Sequence, residues 1–153
     1  MLSQTAEYAL RATICLSYSS EGLVSTSELA EVTKVPMNYL AKVLQLLARA
    51  ELVTGRRGVG GGYRLQRSPD DISMLDVINA IDPINRITAC PLGLDNHAGG
   101  LCPLHRKLDE TRQVLIDQFS GVSMTDLLSE VGANLPLCDE KMTARVELTL
   151  GKQ

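Results

Sequence analysis

The sequence predicts a mostly α fold of the α+β type, a winged helix-turn-helix with a small β-wing and a long C-terminal dimerisation helix. Three observations predict it: two helical patterns separated by three residues, a glycine-rich basic segment between two β-type runs, and a long amphipathic helix further along the chain. With 153 residues, 44% of them hydrophobic and 22% charged, the chain has the composition of one soluble globular domain.

The two closely spaced helices follow a first helix that is predicted over residues 3–20, with Ser3 as its cap. Ser25-Thr26-Ser27-Glu28 fits the capping box, in which a serine and a glutamate satisfy free N–H groups at a helix start. We expect the helix that begins there to end near Val32. After a three-residue turn, Pro36 suits the first turn of the next helix, because its fixed φ and missing N–H are tolerated there.

This next helix, residues 36–50, is predicted to serve both the core and the DNA contacts. Spacings of three and four give it one apolar stripe, formed by Met37, Leu40, Val43, Leu44, Leu47 and Ala48. The other face presents Asn38, Tyr39 and Lys42 near the N-terminal end, which in this motif enters the major groove of DNA. Taken alone, the pattern also fits an ordinary amphipathic surface helix.

A basic hairpin tip comes next, between β-type runs at residues 52–54 and 63–65. Glycines allow positive φ and a close approach to a phosphate backbone or minor groove, while arginines supply positive charge. The wing residues predicted to contact DNA are Arg56, Arg57, Gly58, Gly60, Gly61 and Tyr63. The alternative is a nucleotide-phosphate loop, but this segment lacks the lysine and serine of that motif and leads into a strand-like run.

The distribution of charge supports a nucleic-acid partner, although the formal net charge is −3. Residues 34–67 hold seven basic side chains against one acidic side chain, a local net charge of +6, and the remainder holds eight basic and seventeen acidic ones. One basic segment in an acidic protein is typical of a DNA-binding face whose surroundings repel the duplex. A solvated charged surface is the simpler interpretation of the same asymmetry.

Beyond the wing, a short helix capped by Ser73 is predicted up to Ile81, followed by a long helix over residues 104–119. The apolar side of the long helix is formed by Leu104, Leu108, Leu115, Ile116 and Phe119. Because this helix lies outside the compact winged domain, we expect it to form a homodimer interface.

Four segments are therefore expected along the chain. They are a DNA-binding domain over residues 1–82, a cysteine-containing loop over 83–103, the dimerisation helix with a short final helix over 104–132, and a tail over 133–153. The final helix is predicted over residues 123–131, and residues 146–150 of the tail alternate as in an edge strand.

The cellular compartment is expected to be the cytoplasm. No apolar run approaches the ~20 residues of a membrane span, and the N-terminal stretch has charged residues and no cleavage site of a signal peptide. In a reducing compartment, cysteines are core, metal or redox residues. Cys15 fits a buried helix face, and neither Cys15 nor Cys138 in the tail is predicted to be a ligand.

With these motifs in place, the chain resembles the Rrf2 family of bacterial regulators over residues 1–128. The motifs that carry the resemblance are Glu7-Tyr8-Ala9-Leu10, Asn38-Tyr39-Leu40, Arg57-Gly58-Val59-Gly60-Gly61-Gly62-Tyr63, Leu75-Asp76-Val77-Ile78 and Thr125-Asp126-Leu127-Leu128. The resemblance implies a winged-helix, homodimeric transcription regulator that binds imperfectly palindromic double-stranded operator DNA. Members of this family often hold a sensory iron-sulfur cluster between the dimerisation helix and the preceding loop, so the resemblance also implies such a cluster here.

The same resemblance implies a ligand set for a two-iron (2Fe-2S) cluster, from which this chain departs. Cys90 fits the first cysteine position of the family, Cys102 the last, and His105 a histidine that some members add. The middle cysteine is missing, and its position falls near Asn96 and His97. Because imidazole replaces thiolate in some clusters, Cys90, Cys102 and His105 would supply three of the four ligands. One further donor is needed to complete the site.

The fourth ligand is expected from the first helix. Glu7 matches a position at which some relatives supply a carboxylate to the cluster of the other subunit, so Glu7 of the partner subunit is the candidate and His97 is its substitute. Three alternatives stay open: a cluster-free thiol switch of Cys90 and Cys102, control by a protein partner, and a zinc site. A small metal-binding enzyme is the remote alternative, since no nucleophile-base pair or cofactor pocket is indicated.

Overall fold

The computed structural model describes residues 2–19, 22–93, 99–129 and 136–137 of the chain. Its elements are, in order, α1 (Gln4–Ser17), α2 (Thr26–Thr33), α3 (Met37–Arg49), β1 (Val53–Arg56), β2 (Gly62–Leu65), a 3-10 turn (Pro69–Asp71), α4 (Met74–Asn79), α5 (Pro103–Ser120) and α6 (Met124–Ser129). This mostly helical arrangement with a two-stranded antiparallel sheet confirms the predicted winged-helix fold.

Serine caps begin the helices where the sequence predicts them. The Oγ atoms of Ser3 and Ser25 accept hydrogen bonds from the N–H groups of Ala6 and Glu28, both at 3.2 Å. Helix α1 ends at Ser17, three residues earlier than predicted. The backbone N–H of its C-cap residue, Tyr18, still donates to the carbonyl of Ile14.

The turn between α2 and α3 is as short as the sequence predicts. Lys34 takes a left-handed conformation with φ of 56°, which ends α2, and Pro36 stands directly before α3. The predicted apolar stripe of α3 is fully buried at Leu40, Val43, Leu44 and Leu47. Its two outermost members, Met37 and Ala48, are exposed, because they lie at the ends of the stripe; their predicted burial was wrong.

The wing is an antiparallel hairpin in which Val53 pairs with Leu65 and Arg56 with Gly62. The strands extend further into the glycine-rich segment than predicted, so the tip is limited to residues 57–61. Val24 adds a bridge on the other side of β2, exchanging two backbone hydrogen bonds of 2.8 and 2.9 Å with Tyr63. These bonds fix the base of the wing against the segment that precedes α2.

The core lies around α1, which packs against α2, α3, α4 and α6. Its fully buried side chains are mostly leucine, isoleucine and valine, each of which contributes roughly 1.5–3 kcal/mol on burial. Helix α6 returns to this core, where Met124 is completely buried.

The starts of α4 and α6 have matching capping boxes and are bonded to each other. Ser73 exchanges hydrogen bonds with Asp76, and Ser123 does the same with Asp126. The two serines form a backbone bridge, and the N–H of Met124 donates to the carbonyl of Ile72 at 2.9 Å. The segment after α5 is therefore fastened to the segment before α4.

Helix α5 spans 18 residues and extends one residue beyond the predicted range at each end. Leu104, Leu108 and Leu115 are exposed, whereas Asp109 is the one residue of the helix that is buried. These three leucines therefore face away from the rest of the protomer, whereas Ile116 and Phe119 of the same side are half-buried. The helix contacts α4 on its other side.

Most of the C-terminal tail lies outside the described residues. Within the described part, the Tyr18 hydroxyl donates a hydrogen bond of 2.8 Å to the carbonyl of Pro136. The predicted edge strand, Cys138 and the predicted end of α6 after residue 129 fall outside it. None of the helices in the described ranges has the length and apolar character needed to cross a membrane.

Candidate DNA interface and sensor loop

The N-terminal end of α3 presents polar side chains from a rigid base. Asn38, Tyr39 and Lys42 are all exposed, and half of the Tyr39 surface is accessible. The opposite side of the helix is the buried stripe, which prevents the helix from rotating. The three side chains that the sequence assigns to operator recognition are thus held together on the outer surface.

A row of rings and cations connects α1 with this surface. The rings of Tyr8 and Tyr39 meet edge to face, with centroids 6.3 Å apart and planes at 67°. The Arg11 guanidinium lies 5.7 Å from the Tyr8 centroid, and the Lys42 ammonium lies 5.9 Å from the Tyr39 centroid. The four side chains therefore form one continuous series of contacts, Arg11–Tyr8–Tyr39–Lys42.

The tip of the wing is held by its own backbone and by Arg56. The guanidinium of Arg56 donates a hydrogen bond of 3.0 Å to the carbonyl of Gly60, and the N–H of Gly61 donates to the carbonyl of Gly58 at 3.0 Å. Gly58 and Gly60 have φ values of 93° and 69°, which residues other than glycine rarely adopt. Arg57, like the rest of the tip up to Gly60, is exposed.

Two further glycines of the wing are required by close approach. A Cβ at Gly61 would lie 2.3 Å from the carbonyl oxygen of Arg56, and one at Gly62 would lie 2.3 Å from that of Val24. The Tyr63 ring is half-buried and packs against the core and Gly55. Any contribution of Tyr63 to DNA binding would therefore come mainly through the shape of the wing.

The loop between α4 and α5 contains the two predicted thiol donors, Cys90 and Cys102, both half-buried. Cys102 occupies the N-cap position of α5, and its Sγ atom lies 3.3 Å from Nδ1 of His105 in the first turn. The N–H of Arg106 donates to the Cys102 carbonyl at 2.9 Å, which fixes this turn. Cys90 begins a tight turn closed by the N–H of Gly93 at 3.1 Å.

The predicted metal ligands are brought together only in part. Cys102 and His105 are neighbours, but no three cysteine, histidine or acidic residues within the described ranges converge on a common point. Glu7 is exposed on α1 and pairs with Arg11. His97 and Asn96 lie outside the described residues, and Cys15 is buried in α1, as predicted.

An ion pair fastens the start of the loop to α5. Arg86 donates two hydrogen bonds to the carboxylate of Asp109, Nε to Oδ1 at 2.7 Å and Nη2 to Oδ2 at 2.5 Å. The N–H of Ile87 donates a third, at 2.8 Å, to the same carboxylate. These bonds, led by those from Arg86, lower the pKa of Asp109 to about 2. The start of the loop is therefore fixed to α5 at Arg86 and Ile87, before the chain reaches Cys90.

The sequence analysis did not identify Tyr8, Arg11, Arg86 or Asp109 as site residues. Tyr8 and Arg11 stand one turn apart on the partly exposed side of α1, a spacing that could have been noticed beside a recognition helix. No local pattern links Arg86 with Asp109, which are 23 residues apart.

Known proteins of similar sequence are transcriptional regulators. The Rrf2 family, described as "Iron-dependent Transcriptional regulator", matches residues 2–130. A protein of Aquifex aeolicus described as an HTH-type transcriptional regulator is 31% identical over 132 residues, which cover 84% of this chain and 92% of the relative. One of Azotobacter vinelandii with a similar description is 30% identical over 129 residues, covering 84% of this chain and 79% of the relative.

Solved structures of similar shape include CymR, the global cysteine regulator of B. subtilis, with a TM-score of 0.68 and 27% identity, covering 83% of this chain and 95% of CymR. IscR of T. potens has a TM-score of 0.70 at 22% identity, covering 94% and 96% of the two chains, and the oxidized form of Staphylococcus aureus CymR has 0.67 at 23%, covering 87% and 99%. The latter two show a shared fold. Because the family match spans most of the residues and the relatives match over most of their length, this chain belongs to the Rrf2 family of winged-helix transcriptional regulators and is not an enzyme.

Proposed function

We propose that this regulator binds operator DNA as a homodimer, through the N-terminal end of α3 and the wing. The observation that carries the proposal is the joint exposure of Asn38, Tyr39 and Lys42 on a helix whose other side is buried. Amide, hydroxyl and ammonium groups at this end of a recognition helix reach base edges in the major groove. Arg56 and Arg57, with the glycine backbone of the tip, supply phosphate contacts beside it.

The homodimer is supported by the apolar side of α5. Leu104, Leu108 and Leu115 are between 37% and 64% exposed, although they follow helical spacing along one side. Apolar residues at such spacing pack against a second helix when one is present. A second copy of α5 would cover them and set the distance between the two recognition helices, which in turn fixes the spacing of two operator half-sites.

The test combines DNA selection with a mass measurement. Duplexes enriched by the protein from a random pool should contain two related half-sites about one helical turn apart, and sedimentation should give the mass of a dimer without DNA. A monomer in solution together with a single, unrepeated site would overturn the homodimer. Failure to enrich any sequence would overturn operator binding itself.

We further propose that the loop between α4 and α5 is the sensor, with a labile 2Fe-2S cluster as its first candidate cofactor. The family description names iron dependence, and the Cys102–His105 contact supplies two adjacent donors. The third ligand of the cluster would be Cys90. The fourth would be Glu7 of the partner subunit or, in its place, His97. A bound cluster would supply redox chemistry that responds to iron, oxygen or nitric oxide.

One protomer brings Cys102 and His105 together as adjacent donors. Because three donors do not converge within the part of the chain that the structure describes, binding requires Cys90 to approach Cys102 or a donor to come from the second subunit. The chain's own contribution is clear at one end: Cys102 and His105 occupy the first turn of α5, so a change in their bonding acts directly on the start of the proposed dimer helix.

A cluster-free thiol switch of Cys90 and Cys102, or control by a protein partner, is the second candidate, with zinc as a further one. The thiol switch is favoured by the similarity to CymR, of which an oxidized form has been solved for Staphylococcus aureus. Anaerobic purification separates the candidates. A brown protein containing iron and sulfide supports the cluster, a colourless protein that still binds DNA supports thiol or partner control, and zinc without sulfide supports the zinc site.

A further inference from the structure

We propose that Tyr8 is a positioning residue for operator recognition. Its ring holds Tyr39, and through Tyr39 the Lys42 ammonium, in one arrangement before DNA arrives. The inference rests on the proposed role of the α3 surface in reading DNA. It adds to that role a residue of another helix, one that would act without touching a base.

The first step is the contact between the two tyrosines. Tyr39 is half-exposed and stands in the first turn of α3, where few side chains of its own helix can restrict its ring. The edge-to-face contact with Tyr8, at a centroid separation of 6.3 Å, removes part of that freedom. Tyr8 is itself half-buried among core side chains, so it provides a fixed surface.

The second step is the anchoring of Tyr8 by Arg11. The Arg11 guanidinium lies over the Tyr8 ring, donates a hydrogen bond of 3.3 Å to the carbonyl of Thr33, and pairs with Glu7. Thr33 is the last residue of α2. One arginine therefore ties the ring to the end of α2, so that α1, α2 and α3 are joined at the point where the DNA-facing surface begins.

The third step concerns Lys42. A lysine side chain has four rotatable bonds, and an unrestrained ammonium can pair with any nearby phosphate. Over the Tyr39 ring, the Lys42 ammonium has a preferred position 5.9 Å from the centroid. A contact with a base edge needs a defined position, whereas a phosphate contact tolerates many, so this arrangement should increase discrimination more than overall affinity.

The experiment measures a specificity ratio. The probes are a duplex selected from a random pool by the wild-type protein and a scrambled duplex of the same length, both measured at the same series of salt concentrations. Tyr8→Leu should lower the ratio of the two affinities about two- to tenfold, the range expected for loss of an aromatic pair. Tyr8→Phe, the matched control, keeps the ring and should retain the wild-type ratio.

A double-mutant comparison identifies the route. If Tyr8 acts through Tyr39, Tyr8→Leu should cause no further loss of specificity in a Tyr39→Ala background. An unchanged ratio in Tyr8→Leu would overturn the inference. A lower specificity ratio in Tyr8→Phe, together with a smaller salt slope, would also overturn the inference. The Tyr8 hydroxyl would then be a phosphate contact. If Tyr8→Leu does not fold, Tyr8→Met, with a similar apolar volume, takes its place.

The same data separate this inference from the proposed function. If Tyr39→Ala and Lys42→Ala both keep the wild-type ratio, the α3 surface does not read the operator, and the proposed function fails together with this inference. If those variants lose specificity and Tyr8→Leu does not, only the role of Tyr8 is wrong.

Discussion

Arg86 and Asp109 form a two-point ion pair between the segment that follows α4 and the middle of α5. Asp109 is buried, and its carboxylate accepts a third hydrogen bond from the Ile87 N–H. Arg86 also donates to the Gln113 side chain one turn further along α5. The pair thus fixes the start of the proposed sensor loop against the proposed dimer helix.

The first prediction is a loss of stability in acid that depends on this pair. The pKa of Asp109 falls from 3.8 to about 2 on folding, so the unfolded state takes up a proton more readily. The stabilisation is therefore present above about pH 4 and is lost as the pH falls towards 2. Urea unfolding between pH 2 and 5 should show a smaller pH dependence in Asp109→Asn than in wild type.

The control for this experiment is Glu110→Gln, which changes an exposed carboxylate at the next position of α5. It should retain the wild-type pH dependence over the same range. Equal slopes in Asp109→Asn and wild type would mean that the ion pair does not contribute to folding.

The second prediction concerns the two arginines at the base of the wing tip. Arg56→Ala combined with Arg57→Ala should weaken binding to all duplexes about equally and reduce the salt slope of the proposed dimer by up to about 3.6, because each phosphate contact contributes ~0.9 and each subunit supplies both arginines. Binding isotherms at several salt concentrations measure both quantities. Lys107→Ala on α5 removes one positive charge outside the interface and should leave the slope unchanged. Lost discrimination with an unchanged slope would make the wing a base reader.

The third prediction assigns operator choice to the start of α3. At least one of Asn38→Ala, Tyr39→Ala and Lys42→Ala should selectively weaken the preferred site, by the ~1–3 kcal/mol of a good base contact. Competition between the selected and scrambled duplexes provides the readout. Gln45→Ala, an exposed change further along α3, serves as the control. If all three variants keep the wild-type preference, the recognition surface lies elsewhere.

The fourth prediction tests the cluster. Cys90→Ala and Cys102→Ala should abolish the visible colour of anaerobically purified protein, whereas His105→Ala and Glu7→Ala should shift the spectrum or shorten the lifetime of the cluster, because weaker donors leave it labile. Cys15→Ala, in the core, should do neither. Wild-type protein without iron and sulfide, or an unchanged spectrum in both cysteine variants, would favour the thiol switch.

The sequence predicted those parts of the fold that depend on local chemistry. Serine caps, the glycine-rich tip and the spacing of Leu40, Leu44 and Leu47 each act within a few residues, so their pattern is visible in the chain itself. The strand ends in the wing were less accurate, because pairing of Gly55 with Tyr63 and of Arg56 with Gly62 extends both strands into the glycine-rich segment.

The site was predicted less completely, because its geometry depends on contacts between separate elements. The exposed recognition residues follow from helical periodicity, whereas the Tyr8–Tyr39 contact needs the packing of α1 against α3. Arg86 lies in an irregular segment without periodicity, and nothing in its neighbours indicates a partner on α5. Cys102 and His105 were identified from the family resemblance, and the structure places them on one turn because they are three positions apart.

The return of α6 to the core means that the proposed DNA-binding half is completed by residues beyond α5. Met124 fills the space beside α1, and the Ser73–Ser123 bridge closes the chain between α4 and α6. A fragment ending at Asp82 would lack the Met124 side chain, and the carbonyl of Ile72 would lose its hydrogen bond from the Met124 N–H. Proteolysis within the loop should therefore leave two pieces that stay associated through Met124 and the Ser73–Ser123 bridge.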